Sequence, residues 1–190
     1  MVLWDFGDTL VDERWMRRSP PSCPNWESVW VGVMSDLADL WNVAELSSAD
    51  VYAVLAQRSG LSADEVAGHA AACCENLTFH PAAWAAASAR RCPQAIVTVN
   101  PDLFEHHIVP GYRLDEVFDA IVTSCTERTD DKVRLCEIAL DRLGYDGARQ
   151  EVLLVDNRLD LVQAWETSGG RGYWFRSDEQ FAADRSSLGL

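Results

Sequence analysis

Apolar residues fall along this chain in two rhythms, short runs rich in β-branched residues and longer stretches at helical spacing. Val2-Leu3-Trp4 runs straight into Asp5-Phe6-Gly7-Asp8-Thr9-Leu10, an apolar strand that delivers a carboxylate into a tight turn. Pro20, Pro21 and Pro24 then mark an irregular connection, because proline removes a backbone donor and forbids a regular helix. From Trp26 to about residue 43, the positions Trp30, Val33, Met34, Leu37, Leu40 and Trp41 predict a helix. A second helix follows Ser47-Ser48, carries Val51, Tyr52 and Leu55 on one face and stops at Gly60. Ser62-Ala63-Asp64-Glu65 is a capping-box pattern and predicts a third helix running to about Asn76.

The texture changes at His80. An alanine-rich helix is expected over 81–91, and strands over 95–99, 120–123, 151–155 and 172–175. Between the strands lie a helix opened by Pro101, one from Asp131 to Leu143 ended by Gly144, and one from Leu159 to Ser168 ended by Gly169-Gly170. This alternation predicts an α/β fold: a Rossmann-like parallel sheet with helices on both faces. The earlier helices then form a small all-α cap, residues 14–79, inserted into a core of residues 1–13 and 80–190.

Composition narrows the function. The 190 residues are 48% hydrophobic, enough for one core. A formal charge of −14 argues against nucleic acid and against anionic membrane surfaces. No apolar run approaches the roughly 18 residues of a membrane span, and the first residues lack a signal-peptide pattern. The six cysteines show no metal-ligand spacing and no compact disulfide framework. Free thiols and a cytoplasmic location are the expectation.

The chemistry gathers at strand ends, where parallel sheets carry their sites. Asp5, Thr98 and Asp156 each close a predicted strand, Asp160 lies one helical turn beyond Asp156, and Lys132 opens a helix. Carboxylates converging on one point suit a hard divalent cation such as magnesium. A hydroxyl and a lysine suit phosphate oxygens. Asp5 is the candidate nucleophile, with Thr9 beside it, and Asn100 either caps the following helix or donates to substrate.

In their order these residues resemble the haloacid dehalogenase-like hydrolase superfamily, in the branch with a type I helical cap. The first motif is similar to Asp5-Phe6-Gly7-Asp8-Thr9-Leu10, the second to the strand ending at Thr98, the third to Lys132 and the fourth to Asp156 with Asp160. The resemblance implies Asp5 as nucleophile, with Lys132 as its catalytic partner. It implies magnesium held by Asp5, the Gly7 carbonyl and Asp156, with Asp160 nearby. Thr98, Asn100, Asp8 and Thr9 are the substrate-binding candidates, and the implied partner is a small phosphorylated substrate taken by a monomer or homodimer. One departure matters. Family phosphatases carry a general-acid aspartate where this chain has Gly7; Asp8 is adjacent, but one residue's displacement in a turn redirects a side chain. Three routes then remain: a leaving group needing little protonation, which favours acyl phosphates; water or a cap residue in the acid role; or lost catalysis. The alternatives are a metal-independent haloacid dehalogenase-type hydrolase, to which Asn157-x-x-Asp160 is similar, and a catalytically degenerate binding or regulatory protein.

Overall fold

A computed structural model describes residues 1–190. Its centre is a sheet of parallel strands in the order β3-β2-β1-β4-β5, with β1 at Val2–Trp4, β2 at Gln94–Thr98, β3 at Ala120–Thr123, β4 at Leu153–Asp156 and β5 at Arg171–Trp174. β1 pairs with β2 through Val2–Gln94 and with β4 through Val2–Leu153. The order reverses at β1, so the carboxyl ends of β1, β2 and β4 open into a common crevice. The parallel α/β expectation is met.

The central strands are apolar on both sides because helices cover both sides. Leu3, Val97 and Leu154 pack under α8 (Lys132–Arg142) and α9 (Leu159–Thr167), which contribute Leu135, Ala139 and Trp165. Trp4, Ile96 and Val155 face the other way, toward α4 (Pro81–Ser88), Phe104 and Phe181. Phe181 belongs to α10 (Asp178–Leu188), a helix the sequence pattern does not announce. Asp178 at its start accepts hydrogen bonds from Ala82 N and Ala83 N, tying α10 to the first turn of α4.

Between β1 and α4 lie α1 (Trp26–Asn42), α2 (Ser48–Ser59) and α3 (Ala63–Cys74). Capping boxes at Ser47–Asp50 and Ser62–Glu65 start the latter two, satisfying backbone N–H groups that have no partner inside the helix. Gly60 ends α2 in the left-handed conformation, at φ 78°. The chain leaves the sheet and returns to it side by side: Asp12 N donates to Thr78 O and His80 N donates to Leu10 O, both at 2.9 Å. Beyond that paired neck, the inserted helices share one continuous apolar cluster with the sheet.

Several boundaries differ from the pattern. α4 stops at Ser88, and β4 begins two residues late behind a 3-10 turn at Arg149–Glu151. Pro101 does not open a helix; the chain instead enters a wide π turn at Phe104–Ile108, then α5 (Val109–Tyr112) and α6 (Leu114–Val117), broken by left-handed Arg113. α7 (Ser124–Glu127) follows β3. All cysteines are free, with Cys73 and Cys74 buried. No helix is long and apolar enough to cross a membrane.

Candidate active site

Asp5 follows β1, its N–H donating to Val155 O of the neighbouring strand at 2.9 Å. That bond fixes the main chain at the crevice and turns the carboxyl into it. Asp131 caps α8 through Arg134 N, so Lys132 begins the helix and reaches back under the sheet edge. Lys132 Nζ donates to Asp5 Oδ1 at 2.8 Å and to Val97 O at 2.6 Å, and lies 2.9 Å from Asp156 Oδ2. One buried ammonium therefore bridges two buried carboxylates. The Asp156 contact is an ion pair by distance, but it lacks hydrogen-bond geometry and leaves Oδ2 without a hydrogen bond. Asp156 Oδ1 accepts from Arg158 N at 2.8 Å.

Electrostatics follow from this enclosure. Burial raises the Asp5 carboxyl to about 6, with Lys132 pulling it down and Asp156 pushing it up. For Lys132, burial alone would favour the neutral amine, but Asp5 and Asp156 outweigh it and hold the ammonium firmly charged.

Asp5, Gly7, Thr98, Asn100, Lys132 and Asp156 line a polar cavity of about 200 Å³, together with Glu13, Asn42, Asn157 and Arg158. Asn100 Nδ2 donates to Thr98 Oγ1 at 2.8 Å, and Ser124 Oγ holds Asn100 N at 3.0 Å. Three of the residues singled out from sequence lie elsewhere. Asp8 is exposed in left-handed backbone and accepts from Glu13 N at 2.8 Å, so it braces the loop. Thr9 is fully buried and its hydroxyl lies 3.4 Å behind Asp5 Oδ2, supporting that carboxylate. Asp160 pairs with Arg158 in solvent at 2.6 Å, because the first turn of α9 points it outward.

Glu13 and Asn42 enter the site without a motif to announce them. Glu13 sits in the 3-10 turn Glu13–Arg17, and its carboxyl Cδ lies 3.2 Å from where a Cβ on Gly7 would stand. The residue as a whole is exposed, yet its carboxyl is recessed against Asp5 and Asp8, and that recess governs its titration. Burial, then Asp8 and Asp5, raise it to about 7 against the opposing pull of Arg17. Asn42 ends α1 and its carbonyl accepts from Ser124 Oγ at 2.6 Å, fastening the inserted helices to the core beside the site. A second cavity of about 200 Å³ adjoins the first and is largely apolar, walled by Trp15, Met16, Trp30, Met34, Trp41 and Leu103.

No protein-family model and no curated protein matches the chain. Solved structures do. A haloacid dehalogenase (HAD) family enzyme from Bacteroides thetaiotaomicron superposes over 93% of each chain with a TM-score of 0.69 at 12% identity. That enzyme has also been solved with magnesium and inorganic phosphate. A HAD-like family hydrolase from Porphyromonas gingivalis covers 98% of this chain and 96% of its own, with a TM-score of 0.70 at 15% identity. L-2-haloacid dehalogenase from Xanthobacter autotrophicus covers 98% of this chain and 82% of its own, with a TM-score of 0.66 at 20% identity. The chain has the haloacid dehalogenase-like fold.

Proposed function

We propose that the protein is a magnesium-dependent phosphohydrolase of a small phosphate ester, working through an aspartyl-phosphate on Asp5. The observation that carries this reading is the buried Asp5–Lys132–Asp156 cluster at the sheet switch point. Asp156 Oδ2, buried and accepting no hydrogen bond, is the donor a hard cation would satisfy. No group of three or more His, Cys, Asp or Glu side chains is arranged to hold a metal, so magnesium here would rest on one or two carboxylates, with water and phosphate oxygens completing its shell. Asp5 and Asp156 would hold it. When bound, magnesium offsets the repulsion between the carboxylate and the incoming phosphate.

The chain's own groups do the rest. Lys132 orients the Asp5 carboxylate and faces developing negative charge with a fixed cation. Thr98 and Asn100 offer a hydroxyl and an amide to the phosphoryl oxygens. The ester's organic part enters the adjoining apolar recess, where Trp15, Trp30 and Trp41 favour an apolar or aromatic group.

The test is hydrolysis of p-nitrophenyl phosphate and acetyl phosphate with and without magnesium, by wild type and Asp5→Asn. Magnesium-dependent release lost in the variant is expected; turnover of neither compound, or activity that survives the substitution, defeats the reading. Asn157 at the cavity favours one rival, a carbon–halogen hydrolase, which predicts halide release from 2-haloacids insensitive to chelator.

A further inference from the structure

The two cavities meet at a shared wall of Glu13, Asn42, Val99 and Asn100, and Glu13 is the only ionisable side chain of the four. On the phosphohydrolase reading, on which this inference rests, the phosphoryl group occupies the polar cavity and the organic group the apolar one. The bond to be broken therefore lies at their junction. From the place of Glu13 in the wall common to both cavities, with its carboxyl against Gly7 at the polar one, we infer that Glu13 is the general acid–base of the reaction.

The local structure is built to put it there. Gly7 has no side chain, and the Glu13 carboxyl fills the space such a side chain would need: Cδ and Oε1 stand 3.2 Å, and Oε2 3.5 Å, from a Cβ at that position. Asp8 holds Glu13 N at 2.8 Å, and Asp12 caps the same turn through Arg14 N at 2.9 Å. Trp15 and Met16, buried two and three residues on, anchor the turn beneath the inserted helices. The carboxyl is thus supplied by a loop six positions along the chain.

In the first step an Asp5 oxygen bonds to phosphorus as the ester P–O bond breaks, and the proton of Glu13 passes to the leaving oxygen, releasing the alcohol. In the second, water attacks phosphorus, Glu13 takes its proton, and the Asp5–phosphorus bond breaks to release inorganic phosphate. Glu13 ends protonated, ready for another turn. An alkyl phosphate is then a competent substrate, and the preference for acyl phosphates expected from Gly7 alone disappears.

Glu13→Gln keeps the shape and removes the proton. It is expected to lower kcat/KM for 2-phenylethyl phosphate by on the order of 10²–10⁴. With p-nitrophenyl phosphate, whose leaving group needs no acid, the variant is expected to release a stoichiometric burst of nitrophenol and then stall, since the second step lacks its base. Equal slowing of both esters without a burst, or no slowing of the alkyl ester, overturns the assignment while leaving the phosphohydrolase reading intact. Wild type inactive on both overturns that reading and this one with it. Melting supplies a readout apart from turnover: Gly7→Asp should lower Tm, and Gly7→Asp with Glu13→Ala should recover it. No Tm loss in the single variant, or none recovered in the double, overturns the claim that the carboxyl occupies the side-chain space of residue 7.

Discussion

Lys132 Nζ lies 2.8 Å from Asp5 Oδ1 although 127 positions separate the two residues. The same ammonium stands 2.9 Å from Asp156, so one buried cation is shared between two buried carboxylates. Removing one member of such a cluster strands the charges that remain.

Lys132→Met is accordingly expected to destabilise the fold by about 3–5 kcal/mol, because Asp5 and Asp156 are left buried with no counter-charge. Urea midpoints measure this. Adding Asp156→Asn to the variant should recover part of the loss, since it removes one of the stranded charges.

The raised Glu13 carboxyl makes stability depend on pH. Its folded value of about 7 exceeds the ordinary glutamate value of 4.5, so between those two pH values the folded protein binds more protons than the unfolded chain. Stability contributed by this group is full below the lower value and is lost as pH rises through the window. Glu13→Gln has no such loss. The two proteins should melt together near pH 4, and the variant should melt higher above pH 8. Solvent at the exposed part of the residue screens the penalty, so the gap should be on the order of 2–4 °C.

Gln94 is a buried polar hub at the start of β2. It accepts from Trp4 Nε1 at 3.0 Å and donates to Ala87 O at 2.7 Å and Val117 O at 3.0 Å. Gln94→Leu preserves volume but orphans these groups, and about 2–4 kcal/mol of stability should be lost in chemical denaturation.

Gly170 lies against the Trp165 ring so closely that an added Cβ would stand 2.1 Å from its Cε2. Trp165 is fully buried and its Nε1 donates to Val152 O at 3.3 Å, so the ring has nowhere to go. Gly170→Ala should cost about 1–3 kcal/mol, read as a lower urea midpoint with catalysis per folded molecule unchanged.

Strand-end residues were legible in the sequence because a parallel strand fixes where its last side chain goes. Asp5, Thr98 and Asp156 each follow an apolar run, and Lys132 follows a helix cap; all meet in one cavity. Asp8, Thr9 and Asp160 share the same neighbourhood in sequence but lie in a turn or on a helix, where one residue of displacement redirects the side chain. Nothing local decides that direction. Glu13 escaped notice for the complementary reason: its role depends on a side chain that Gly7 lacks. α10 escaped because only Phe181 of its residues is buried, leaving too little periodicity to read. The broken path from Phe104 to Val117 is set by packing, with Phe104, Ile108 and Leu114 all buried in spite of its irregular backbone.

The position of β1 also bears on how a nascent chain acquires this structure. β1 precedes the sheet's other strands in the chain yet takes the middle place, and its partners arrive only with Gln94–Thr98 and Leu153–Asp156. Closing such long loops is slow, whereas α1 against α2 and α2 against α3 join through near neighbours in sequence. The helical insert thus gains its contacts while the strand before it still waits for a partner. Until β4 emerges, Val2-Leu3-Trp4 lacks one of its two strand neighbours and its apolar side chains lack part of their cover.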